Sequence, residues 1–176
     1  MSEQEKIQHY IQTGELKWVG ELYKDYIHLV YGVCLKYLKN KNDAEDAVSQ
    51  IFEKLIVDLK KHEVTNFKSW LFVLTKNYCL MELRKVKRIE NSSIEDMEFA
   101  LPVHQEEEAV DETGLADCVQ QLKEKQKKCI ELFYISEMCY QDISEELHVT
   151  LNEVKSAIQN GKRNLKICLE KKRESI

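Results

Sequence analysis

Chemistry is offered most plainly by a polar group near the C-terminus: Asn152, Lys155, Ser156, Gln159 and Arg163, with Lys162 beside them. At 3.6 residues per turn these side chains share one helical face. Amides and hydroxyls hydrogen-bond base edges in a major groove, while Lys and Arg neutralise phosphates. The other face carries Leu151, Val154, Ile158, Gly161 and Leu165 at 3-4-3-4 spacing, which predicts a buried stripe. Thr150 and Glu153 spell a capping box at the start of that helix. Before it, Ile143 and Leu147 lie four apart on a shorter helix, with the turn after His148 at Val149-Thr150. Positions 139–168 therefore read as a helix-turn-helix. A solvated helical hairpin has the same stripe and polar back. The charge separates the two readings: Lys155, Lys162, Arg163, Lys166, Lys171, Lys172 and Arg173 face the single acid Glu170.

Catalytic chemistry has no comparable signature. The chain lacks a Gly-rich phosphate loop, H-E-x-x-H and G-x-S-x-G, so no enzyme, cofactor or metal site is expected. Its six cysteines form no C-x-x-C pair and mostly fall in apolar stripes, so all six are expected to be reduced and structural.

The elements that must hold the polar face are helical. One Pro and five Gly in 176 residues are too few for a turn-rich β protein. No run of about 18 uncharged apolar residues is present, and the N-terminus lacks an apolar signal region. A cytoplasmic protein without membrane insertion of its own is expected. Its net charge of −5 is unevenly spread: between Ile89 and Gly114 lie nine acids and no Lys or Arg, and without them −5 becomes +4. That stretch holds the only proline, Pro102, and reads as a flexible acidic linker, 89–114. The expected fold is all-α: two small helical bundles, 1–88 and 115–176, joined by the linker, the second ending in the helix-turn-helix.

In the first bundle, residues 1–14 give weak helix signals. A long amphipathic helix spans 15–39, and another 43–61, capped by Asn42 and filled by Ala44, Ala47, Val48, Ile51, Phe52, Leu55, Ile56 and Leu59. The outer face of the latter holds Asp43, Glu45, Asp46 and Gln50, either solvated or a docking surface. A third helix, 68–88, is capped by Asn66 and ends in the basic cluster 84–88. The second bundle begins with Leu115, Val119 and Leu122 and continues through Cys129, Ile130, Leu132, Phe133 and Ile135.

The order of DAEDAVSQIFEKL, NFKSWLFVLTKN with its basic end, the acidic linker and YQDISEELHVTLNEVKSAI resembles the bacterial extracytoplasmic-function (ECF) sigma factors, over about 21–173. The resemblance implies RNA polymerase core, promoter DNA and an anti-sigma factor as partners. It implies that Asp43, Glu45, Asp46, Gln50 and Phe52 dock on the polymerase clamp. Loop residues 64–66 with Lys68, Lys76, Asn77, Arg84, Lys85 and Arg88 would meet the melted minus-ten element. Asn152, Lys155, Ser156, Gln159, Lys162 and Arg163 would read the minus-thirty-five duplex. The chain departs from the family at the region-four turn, usually Gly but here His148, and at Ala157 and Asn160, where relatives are often basic. The rival reading is a helix-turn-helix regulator whose N-terminal helices sense a ligand or form a dimer.

Overall fold

The computed structural model describes residues 1–90 and 112–174, in which eight helices and no strand occur. They fall into two units, α1–α4 and α5–α8.

Helix α1 (Glu3–Thr13) turns the weak signals of 1–14 into an anchored element. Ser2 Oγ accepts from the Glu5 N–H at 3.2 Å, and the Ser2 N–H donates to Glu5 Oε2 at 2.6 Å, a reciprocal capping box. Ile7 and Tyr10 are wholly buried, and Gly14 at φ 73° closes the helix in the left-handed region that favours glycine. Helix α2 (Leu16–Leu38) follows and ends on Lys39, also left-handed. Helix α3 (Lys41–Asp58) starts two residues earlier than its acidic turn suggested. Its cap is Asn40, whose Oδ1 accepts from the Asp43 N–H at 3.1 Å, and Asn42 already lies inside the helix. Helix α4 (Phe67–Glu90) is capped as expected by Asn66, which accepts from the Ser69 N–H at 2.9 Å.

The core of this unit joins Val19, Leu22, Ile51, Leu55, Leu59, Phe67, Leu71 and Cys79, with α2 packed on α1, α3 and α4. Two buried tyrosines fasten α3 through their hydroxyls. Tyr10 donates to Ile56 O at 2.7 Å, and Tyr23 donates to Val48 O at 2.7 Å. Ile56 O lies in the last turn, where the Lys60 N–H bonds Val57 O instead, so α1 satisfies a carbonyl at the end of α3.

In the second unit, α8 (Leu151–Glu174) packs on α5 (Glu112–Gln120), α6 (Glu124–Tyr134) and α7 (Tyr140–Leu147). Cys129, Ile130, Phe133, Cys139, Ile143, Val154 and Ile158 fill the interior. Phe133 meets Tyr134 edge-on and Tyr140 at a tilt. At Gly161, a Cβ would stand 2.5 Å from Ile130 Cδ1, so glycine lets α6 approach this closely. Two expected stripe members turn out exposed: Ile135 at 78% and Leu151 at 39%. Ile135 follows the end of α6, and Leu151 opens α8, so neither has a neighbouring turn covering it.

The cysteines divide. Cys34, Cys79, Cys129 and Cys139 are thiols outside any disulfide and are buried, as expected of structural cysteines. Cys118 and Cys168 form a disulfide with 5.8 Å between Cα atoms, against the expectation that all six stay reduced. Fifty residues separate them, and only the packing of α5 on α8 brings them together. Cys79 donates to Cys34; that bond and burial hold the Cys79 thiol protonated.

The expected linker falls almost wholly outside the described residues. No described helix is long and apolar enough to cross a membrane.

Candidate nucleic-acid interface

The recognition face depends on how α8 begins. His148 adopts φ 55°, ψ 45°, the left-handed conformation that a Gly would take at no steric cost. Its N–H bonds Ser144 O, and Ser144 Oγ donates to Val149 O at 2.6 Å, so side chain and backbone both fix the turn. Thr150 and Glu153 then form the expected box: the Thr150 N–H donates to Glu153 Oε2 at 2.7 Å, and the Glu153 N–H to Thr150 Oγ1 at 3.2 Å. The Thr150 N–H, with Lys125 behind it, holds the Glu153 carboxyl below the usual carboxylate value. Lys125 Nζ reaches Glu153 Oε1 at 3.2 Å and so ties α6 to the first turn of α8.

From that turn Asn152, Lys155, Ser156, Gln159 and Arg163 all project as exposed side chains, while Val154, Ala157, Ile158 and Gly161 face inward. The face is therefore continuous and polar, with both hydrogen bonders and cations. Lys162 is half-buried, and desolvation lowers its ammonium from the ordinary lysine value, so it flanks the face rather than lying on it. Ala157 is 6% exposed. It belongs to the core, and its departure from a basic residue subtracts nothing from the outer surface. Lys166 was missed as a site residue: it is exposed and continues the Gln159–Arg163 side by one more turn, a position the helical period alone could have indicated.

In the first unit the expected minus-ten residues separate. Lys68, Lys85 and Arg88 are exposed, and Asn77 and Arg84 are half-buried. Lys76 is only 3% exposed, so it lies inside the helical packing and not on a surface shared with the others. The periodicity placed it off the main stripe, but neighbouring Thr75, Cys79 and Leu80 are buried too, which widens the covered face of α4. Val64 is likewise buried, leaving Thr65 and Asn66 exposed in that loop. Asn66 Oδ1 is engaged as the helix cap. Lys85 pairs with Glu82 at 2.9 Å.

On α3, Asp43, Asp46 and Gln50 form an exposed row, and Glu45 is exposed farther round the helix, on the side of Phe52. Phe52 is half-buried, its ring 5.2 Å from that of Tyr23, so it lies beside the exposed Glu45 and also belongs to the packing. The structure keeps these acids on α3 apart in sequence and element from the cations of α4. Among the described residues no group of three or more His, Cys, Asp or Glu is placed to hold a metal ion.

Comparison with known proteins matches these surfaces to two family models. Sigma-70 region 2 covers residues 22–89, taking in α3 and α4, and Sigma-70 region 4 covers 113–165, taking in the helix-turn-helix. The ECF RNA polymerase sigma factor SigM of Bacillus subtilis is 25% identical over 155 residues, covering 84% of this chain and 93% of its own. SigW of the same organism is 27% identical over 162 residues, covering 84% and 85%. Among solved structures, the sigma factor RpoE in complex with the anti-sigma factor NepR from Bartonella quintana matches at 20% identity and a TM-score of 0.42, over 89% of this chain and 98% of that one. The relatives that align along most of their own length are ECF RNA polymerase sigma factors, and the two regions matched in order over most of the chain place it in a family: it belongs to the sigma-70 factors.

Proposed function

We propose that this chain brings RNA polymerase core to promoters and starts transcription in the cytoplasm, with no catalytic step of its own. The observation that carries the reading is the exposed face of Asn152, Lys155, Ser156, Gln159 and Arg163 on a helix fixed by a reciprocal cap and a left-handed turn. It reads the minus-thirty-five duplex, with Lys166 extending the phosphate contacts. Lys68, Asn77, Arg84, Lys85 and Arg88 meet the minus-ten element. Lys76, being buried, supports α4 from within. Asp43, Glu45, Asp46 and Gln50, bordered by Phe52, dock on the polymerase clamp. A chain with so few phosphate contacts per unit binds DNA weakly alone, and the polymerase supplies the effective concentration that lets two weak sites act together. An anti-sigma factor, a partner named for the RpoE structure, would act by covering the α3 row and the recognition face.

Run-off transcription with purified core on genomic templates tests the proposal, alongside mobility shifts with and without core. Transcripts and salt-sensitive binding only when core is present are expected. Tight sequence-specific binding by the isolated chain, or no transcript from any template, would overturn it. Light scattering and footprint symmetry separate it from a dimeric helix-turn-helix regulator on a palindrome.

A further inference from the structure

Cys118 and Cys168 belong to none of the surfaces above, yet they decide how α5 is held. Among the described side chains of α5, Cys118 is the only one that is fully buried. A helix of nine residues does not persist in water unaided. Its remaining attachments are the half-buried Leu115 and Val119 and two surface pairs: Lys172 Nζ meets Asp117 Oδ2 at 3.0 Å, with the aspartate side chain 73% exposed, and Gln120 accepts from Lys127 at 2.8 Å. Exposed pairs of this kind add little. Both cysteines line an open cleft of about 420 Å³ that also takes in Lys123, Lys171 and Lys172, and Cys168, half-buried where Cys118 is fully buried, is the more accessible of the two. Cationic surroundings with access to solvent are the setting in which a thiolate attacks. The buried Cys34 and Cys79 have no such access.

We infer that Cys118 and Cys168 form a reversible thiol latch that docks α5 on the last turns of α8 when oxidised and lets α5 leave when reduced. In closing the latch, the Cys168 thiolate attacks one sulfur of a small-molecule disulfide such as oxidised glutathione, forming a mixed disulfide and expelling one glutathione thiolate. The Cys118 thiolate then attacks Cys168 Sγ, the new protein S–S bond forms, and the second glutathione leaves. The two cysteines give up two electrons and two protons, which depart on two molecules of reduced glutathione. Excess reduced glutathione runs the same steps backwards.

Hydrogen exchange read by mass spectrometry on the full chain tests this, with non-reducing peptide mapping in parallel. Samples are held in excess reduced or in oxidised glutathione. The 118–168 linked peptide should appear only in the oxidised sample. Amides of 112–120 should exchange at least about tenfold faster when reduced, because loss of a bond closing a fifty-residue loop loosens what it held. Exchange in α1–α4 should not change. C168S and C168A should show the fast α5 rate in both buffers. Equal α5 exchange in the two wild-type samples would overturn the latch. So would a linked peptide that survives excess reduced glutathione, two free thiols after oxidation, or oxidised-like protection in C168A, which would assign the docking to packing.

Discussion

Replacing His148 with Gly tests whether the helix-turn-helix turn is held in place at a cost. The His148 backbone sits at φ 55°, ψ 45°, and the left-handed region costs an L-residue about 1–2 kcal/mol. Glycine relieves that cost but gives back about 0.5–1 kcal/mol through the larger entropy of its unfolded chain. The side chain is exposed, so little burial is lost, and the N–H to Ser144 O bond survives the substitution. H148G should therefore stabilise the second unit by about 0.5–1 kcal/mol, a rise in midpoint of roughly 2–8 °C for a domain of this size. H148V puts a β-branched residue into the same conformation and should lose at least about 1 kcal/mol. The assay has a built-in control. The chain's two tryptophans, Trp18 and Trp70, lie in α2 and α4, so tryptophan fluorescence follows the first unit while circular dichroism follows both. The H148G shift should appear in circular dichroism and be absent from fluorescence, with transcription retained because the turn keeps its shape. A lower midpoint in H148G, or the same midpoint in H148G and H148V, would refute the reasoning.

Three further outcomes are expected. Y10F removes the hydroxyl that donates to Ile56 O at 2.7 Å and should cost the first unit about 1 kcal/mol, seen as a lower urea midpoint by tryptophan fluorescence. K155Q combined with R163Q removes two exposed cations from the recognition face and should reduce the salt slope of promoter binding by the core-bound protein by about 2, at roughly 0.9 per phosphate contact. An unchanged slope would take both residues off the DNA. The Glu153 carboxyl is lowered in the folded state, first by the Thr150 N–H and then by Lys125, so its contribution is present above the unfolded value of 4.5 and is lost as pH falls through the lower folded value. E153Q should flatten this acid dependence of melting while a Gln at this position keeps the cap; an identical pH profile in both proteins would count against the assignment.

The sequence alone determined what depends on near neighbours. The 3.6-residue periods of α2, α3, α4 and α8, the Asn66 cap, the Thr150–Glu153 box and the turn at His148 all involve groups within about four residues, and each stands in the structure as its pattern requires. The exposed polar face of α8 was legible for the same reason, since an apolar stripe on one side fixes the other. Tertiary structure decided which residues at the margins of those stripes are covered. Lys76 and Ala157 are buried and Leu151 is not, because margin positions are settled by the helix that packs beside them rather than by their own period, and outside the helices Val64 is covered while Ile135 is not. It also decided that Tyr10 reaches the end of α3 and that Cys118 meets Cys168. Such contacts join residues 46 and 50 positions apart, and no local spacing carries information about them.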